Sequence, residues 1–465
     1  MPTGTGAEMV WTTHRAAVLG LAALLLLAGC ASGGGPHPAL AVDGADELAD
    51  LPVHLRVTGL PPGGRVTLTA DAADYRGLGW QSAATFRADG RGTVDVDRAA
   101  PESGGSYPQA DGMGLFWSML PTNSSGATFY SPPRPVSATG WNGGSGSGPG
   151  AGGRAGSVGS AGPGAPGGSA GPAGSVGPDG FPVRITATVD GRIVGERTVT
   201  RRWTVDGVTA TRLTPATDRL VGTLYLPPAG TPARRPVLLF GGSEGGDDPA
   251  TAAVLASHGH PALCLAYFGL PGLPATLRDI PVEYAADAAR LLAARTGSGG
   301  TGSGGPGAGG IDVIGYSRGS ELALLLAEQQ PDLVRRVVVY SPSDQVNGGL
   351  PDGVAWTEHG TPVPAGPIAL DRIPAAVLAV AGEADALWPS PAWARRIGEP
   401  AASGAQRQAL LYPGAGHGVG ILPYLPAGAA DPRPGGEVLH LGGMPAGNEA
   451  ARLDGWPKVL AFLDA

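Results

Sequence analysis

The chain has 465 residues, of which 42% are hydrophobic, and a formal net charge of −8. That length allows two or three domains with cores of their own, and the acidic balance argues against a nucleic-acid partner, which would want a basic surface. Its 80 glycines and 46 prolines stand far above average usage and mark part of the chain as low-complexity linker.

At the N-terminus, His14 and Arg15 precede an apolar run from Ala16 to Leu27, which ends in Leu27-Ala28-Gly29-Cys30. The run is shorter than the ~20 apolar residues of a membrane span and suits the core of a secretory signal. The small residues before Cys30 resemble a bacterial lipobox. Residues 1–30 are therefore expected to be a lipoprotein signal peptide, with Cys30 acylated and the chain cut just before it. Residues 31–40 then form a flexible tether. This expectation places the protein at the cell membrane, lipid-anchored on the extracytoplasmic side. The plain alternative is a signal peptide that happens to contain a cysteine. Only Cys264 would remain, in an apolar strand-like run, so there is no disulfide framework and a buried core thiol is expected.

From about 41 the residues read as short strands. "VHLRVTGLPPGGRVTLTA" alternates apolar and polar residues on both sides of Pro61-Pro62-Gly63-Gly64, which predicts a hairpin with one solvated face. "ATFRADGRGTVDVD" repeats the pattern around a turn at Asp89-Gly90. The stretch 141–180 is almost wholly Gly, Ala, Ser and Pro and buries too little apolar surface to offset its ordering entropy, so a disordered insert is expected. Period-two alternation resumes on both sides of Asp190-Gly191, a strong two-residue hairpin signal. The insert thus interrupts one all-β, immunoglobulin-like sandwich spanning 41–210.

From about 211 the grammar changes to an α/β pattern. "PVLLF", "PALCLAY", "IDVIG", "VRRVVVYS", "AAVLAVAG" and "QALLYPG" suit buried parallel strands. Helix-like segments lie between them, at roughly 249–258, 281–295, 318–329 and 391–397. Pro281 in the first turn and Gly297 just past the end mark the second helix. A Gly-rich loop at about 297–310 follows it. Strands alternating with helices over 211–465 predict a parallel sheet covered on both faces.

Within "IGYSRGSE", Gly315, Ser317 and Gly319 form G-x-S-x-G between a predicted strand and a predicted helix, the context of a nucleophile elbow. Without that context the motif is common in Gly-rich chains. A serine hydroxyl needs a base, and the α/β-hydrolase order is serine, acid, histidine, each at a strand's carboxyl end. Asp385 follows "AAVLAVAG" and His417 follows "QALLYPG", in that order. Each alone has a plain reading, as a turn aspartate and a surface-loop histidine, and Glu383 is the competing acid. The oxyanion donors are expected to be backbone N–H groups of Arg318 and of the "GGSEGG" loop at 241–246, where Ser243 and Glu244 both qualify. His258 and His260 flank Gly259 without a third partner, so they read as loop or helix-end residues. No metal or cofactor motif is present, and no cofactor is expected.

At this point both halves resemble a known family, the acyl-CoA thioesterases and bile acid-CoA:amino acid N-acyltransferases. The residues that carry it are "VTGLPPGGRVTL", "WQSAATFRADGRGTVDVDRAAPESGGSY" and "DGMGLFWSM" in the first half. In the second they are "FGGSEGG", "LAYFGLPGLP", "IPVEYA", "GYSRGSELALLLAE", "YSPS", "GEADALWPS" and "GWPKVLAFL". The resemblance implies an N-terminal β-sandwich before an α/β-hydrolase domain. It also implies Ser317 as nucleophile, Asp385 as acid, His417 as base, and an acyl-CoA or other acyl thioester or ester as substrate. Family members often show paired acids where this chain has Ala384-Asp385. Amidating members carry cysteine at the nucleophile position, so serine favours hydrolysis over acyl transfer. An envelope lipoprotein that binds acyl ligands without catalysis is the reading from another class. An exported enzyme is parted from cytosolic coenzyme A, which leaves the physiological substrate open. The segment 343–371, between two strands, is a candidate substrate-selecting cap.

Overall fold

The computed structural model describes residues 37–465 except positions 76, 124–129, 134, 136–179, 246, 299–308, 421 and 433–437. The signal peptide, Cys30 and most of the tether lie outside the described residues, as do nearly all of the 141–180 insert and most of the Gly-rich loop at 297–310.

The N-terminal part folds as two sheets. One has three strands, in the order Ala39–Asp43, His54–Thr58, Val94–Asp95. The other has six: Asp46–Leu48, Arg192–Arg202, Gly180–Val189, Arg65–Ala73, Gly79–Arg87 and Leu120–Pro121. Alternate side chains along them point inward, and Leu55 and Val57 of the first sheet share one core with Val66, Leu68, Phe86, Val183 and Ile185 of the second. The hairpin expected across Pro61–Gly64 does not form, because its two strands belong to different sheets. The two prolines have no N–H for a ladder, and Gly63 at φ +73° turns the chain as a corner between layers. The turn at Asp89-Gly90 is a corner of the same kind. At Asp190-Gly191 the hairpin is real: Val189 pairs with Arg192, and both turn residues have positive φ. Leu120–Pro121 and Gly180–Val189 lie in one sheet, so the insert interrupts a single sheet.

The second half is built on an eight-stranded sheet. Its strands are β1 (Thr209–Leu213), β2 (Val221–Leu226), β3 (Val237–Phe240), β4 (Ala262–Ala266), β5 (Ile311–Tyr316), β6 (Val334–Tyr340), β7 (Ala376–Gly382) and β8 (Arg407–Tyr412). They lie in the order β1-β2-β4-β3-β5-β6-β7-β8, with β2 antiparallel to its neighbours and β3 to β8 parallel. The longer helices are α1 (Pro249–Ser257), α2 (Val282–Arg295), α3 (Arg318–Gln329), α4 (Ser390–Ile397) and α5 (Pro445–Asp464). Leu238, Phe240, Leu263 and Val313 pack with α2, α3 and α4. The alternate residues Val237, Leu239, Cys264 and Ile314 pack with α1, α5 and the N-terminal core. Covering both faces explains why these strands read as continuous apolar runs.

Cys264 is fully buried, as expected. Pro281 is the N-cap of α2 rather than a first-turn residue, and Gly297 at φ +71° follows its C-cap. α5 passes through Pro457 and Gly455, which hid it from the apolar periodicity. The halves interlock where Asp50 Oδ2 accepts the Trp456 indole N–H (2.8 Å) and faces His258 Nε2 (2.6 Å). His260 is buried between the Arg235 carbonyl and Asp464, so both histidines have structural partners. Among the described residues no helix is long and apolar enough to cross a membrane.

Candidate active site

Ser317 stands between β5 and α3 at φ +52°, ψ −119°, a strained conformation for a residue with a side chain. Its N–H donates to the Tyr340 carbonyl (2.9 Å), and its own carbonyl accepts from Ser320 N–H and Oγ–H. The flanking glycines are needed for close approach. A Cβ on Gly315 would stand 2.4 Å from the Gly319 carbonyl oxygen, and one on Gly319 would stand 2.1 Å from that of Gly241. Backbone is on the other side in each case, so nothing soft can yield.

The loops after β7 and β8 bring the other two residues to this hydroxyl. His417 Nε2 is 2.9 Å from Ser317 Oγ, and His417 Nδ1 is 2.9 Å from Asp385 Oδ2. All three side chains are buried, and that of Asp385 is wholly so. Asp385 Oδ1 accepts the N–H groups of Leu387 (2.9 Å) and Trp388 (3.2 Å), while Oδ2 also accepts the Ser390 hydroxyl. Glu383 instead pairs with Arg395 at the surface. The imidazole is held edge-to-face between Tyr316 and Trp388. The backbone carbonyl of His417 accepts the hydroxyls of Tyr316 (2.6 Å) and Ser341 (2.8 Å). A serine, an imidazole and a carboxylate so aligned can remove a proton from the hydroxyl and return it to a leaving group.

Arg318 opens α3 with its backbone, while its buried guanidinium turns away to the carbonyls of Asn347 and Gly348 and pairs with Glu321. On the "GGSEGG" side it is Gly242 that abuts the serine: a Cβ there would lie 3.2 Å from Ser317 Cβ. Glu244 reaches back with its carboxylate, which accepts the Gly242 N–H (2.6 Å), and Ser243 lies between them. The segment 343–371 is latched to α3, since buried Glu321 accepts from Asn347 N–H, Asn347 Nδ2 and Trp356 Nε1.

Sequence reasoning missed the residues behind the histidine. Asn448 Oδ1 accepts the Gly416 N–H (2.8 Å), just before His417. Arg452 donates to the carbonyls of Gly418, Val419 and Leu425 on the far side. From the N-terminal half, the Trp117 carbonyl accepts the Ala427 N–H of the same loop. The only signal in the sequence was a set of polar residues on a small-residue helix. Burial pushes the carboxyl of neighbouring Glu449 up to about 8, with Arg452 and Arg201 opposing and Asp111 adding to the rise. The folded state therefore keeps a proton that the unfolded chain loses near pH 4.5, so this contribution to stability is full at low pH and falls as pH rises towards about 8. Urea midpoints of the wild type should fall between pH 5.5 and 8.5, and Glu449→Gln should flatten the fall. Part of the slope should remain from Asp312, raised to about 7 chiefly by burial.

The strand order and the serine elbow make the second half an α/β hydrolase. Residues 50–137 match the acyl-CoA thioester hydrolase/BAAT N-terminal region, and 357–465 match the BAAT/acyl-CoA thioester hydrolase C-terminal region. Both halves of the chain thus carry a region that matches that family. The chain is 26% identical to acyl-coenzyme A thioesterase 1 of Rattus norvegicus, over 89% of this chain and 93% of the relative. It is likewise 26% identical to acyl-coenzyme A amino acid N-acyltransferase 1 of Mus musculus, over 90% and 95%. Among solved structures, dienelactone hydrolase from Anabaena variabilis aligns at 19% identity with a TM-score of 0.28, over 45% of this chain and 88% of that chain.

Proposed function

We propose that the protein is a serine hydrolase that cleaves acyl thioesters, with acyl-coenzyme A the substrate class its relatives suggest. His417 Nε2 takes the Ser317 proton as Oγ attacks the acyl carbonyl, and Asp385 holds the imidazole with Nδ1 protonated. The tetrahedral oxyanion collapses, the C–S bond breaks, and His417 returns the proton to the departing thiolate. Water then attacks the acyl-serine ester with His417 again as base, which releases a carboxylic acid and restores the serine. The single observation that carries this reading is the unbroken Ser317–His417–Asp385 chain of 2.9 Å contacts. Its test is hydrolysis of a chain-length panel of acyl-CoAs beside aryl esters, with and without amino-acid acceptors. Acid release that is unchanged by acceptors supports hydrolysis, and N-acyl amino acids as the main product would replace it with acyl transfer.

We also read the N-terminal sheets as an immunoglobulin-like sandwich. Cys30 we read as a lipid attachment point, on the apolar run and small residues before it. Cys30→Ala should stop palmitate incorporation and leave the precursor uncut in the native host. Unaltered labelling would refute the anchor.

A further inference from the structure

Tyr267 is buried beside the nucleophile, and no step of the proposed reaction uses it. Its ring packs edge-on against Phe240 and Phe268 and tilted against Trp356, with centroids 6.4, 5.3 and 5.8 Å away. Its hydroxyl lies 2.8 Å from the carbonyl oxygens of both Gly241 and Gly242, one proton shared between two acceptors. Burial holds the phenol well above its ordinary range, so it stays a donor at any working pH.

A trans peptide points its C=O and the following N–H in opposite directions. Two successive carbonyls drawn to one hydroxyl therefore turn the N–H groups of Gly242 and Ser243 away from Tyr267, together. Successive N–H groups so turned form a concavity for an anionic oxygen. One of the two already holds an anionic oxygen: the Gly242 N–H donates to Glu244 Oε1. The concavity also adjoins the reacting serine, because a Cβ on Gly242 would touch both Glu244 Oε2 (2.8 Å) and Ser317 Cβ (3.2 Å).

We propose that Tyr267 is the positioning residue of the oxyanion site: its hydroxyl fixes the Gly241 and Gly242 peptides so that the N–H groups of Gly242 and Ser243 serve the tetrahedral intermediate on Ser317. The Glu244 carboxylate holds the place of that oxygen in the resting protein and leaves as the acyl carbonyl enters. This inference rests on the hydrolase reading above and deepens it.

The test is Tyr267→Phe in the full chain, which deletes one oxygen. Turnover is normalised to the sites that a fluorophosphonate titrates to completion, so any unfolded fraction drops out. Tyr284→Phe is the control. Its hydroxyl also bridges buried backbone groups, Val221 N–H and the Ala266 carbonyl, rather than the Gly241 and Gly242 carbonyls. Tyr267→Phe should lower kcat roughly ten- to hundred-fold with KM changed less than about threefold. Its affinity for a trifluoromethyl ketone, which forms a tetrahedral adduct on serine, should fall by the same factor as kcat/KM. Tyr284→Phe should leave all three near wild type. If Tyr267→Phe matches Tyr284→Phe in kcat and in ketone affinity, the positioning role is wrong and the hydrolase reading survives. If wild-type turnover does not depend on Ser317, both are wrong.

Discussion

Ser317→Ala should lower kcat for acyl-CoA hydrolysis by about 10⁴- to 10⁶-fold, and His417→Ala should do nearly as much harm. The double variant should be scarcely worse than either single one. Non-additivity is the informative part, because the 2.9 Å contact between Oγ and Nε2 makes the pair one device. Without the base the hydroxyl is a poor nucleophile, and without the hydroxyl the base has nothing to activate. KM should change little, since neither side chain offers binding surface beyond its reactive atoms. Single-turnover measurements with a chromogenic thioester check both points. Losses that multiply in the double variant would mean that Ser317 and His417 act in separate steps.

Asp385→Asn should cost about 10⁴-fold in kcat, equivalent to about 5.5 kcal/mol of barrier. The reason is the number of donors around the carboxylate. Oδ1 receives two backbone N–H groups, while Oδ2 receives the Ser390 hydroxyl and faces His417 Nδ1. An asparagine must put its NH₂ on one side or the other. Towards the backbone it meets two donors that cannot turn. Towards His417 it donates to Nδ1, which moves the imidazole proton to Nε2 and leaves Ser317 without a base. Glu383 cannot substitute, since it lies outward on Arg395, and Glu383→Gln should keep full activity. A small loss in Asp385→Asn together with a large one in Glu383→Gln would reverse the assignment.

Much of this geometry was legible in the sequence, and the parts that were not share a cause. The elbow could be read because its requirements are local: glycines two residues either side of the serine, an apolar strand before it and a helix after. Asp385 and His417 followed from chain order, because parallel strands deliver their carboxyl ends to one edge of a sheet. The Asp190-Gly191 hairpin was legible because a two-residue turn with two positive φ angles restricts its residues. Pro61–Gly64 misled because alternation looks the same on either side of a hairpin turn and of a corner; only the partner strands differ, and they come from elsewhere in the chain. Tyr267, Asn448 and Arg452 were invisible for the same reason. Their polar atoms meet backbone groups at least twenty residues away, and no spacing announces such contacts.

The contact between the Ala427 N–H and the Trp117 carbonyl, together with the Asp50–Trp456 bond, means that the second half is not a portable module. Expressed on its own, it would bare an indole ring and strip a donor's acceptor from the loop that follows His417. Any lineage that shed the first hundred and fifty positions would have to rebuild that support from new material.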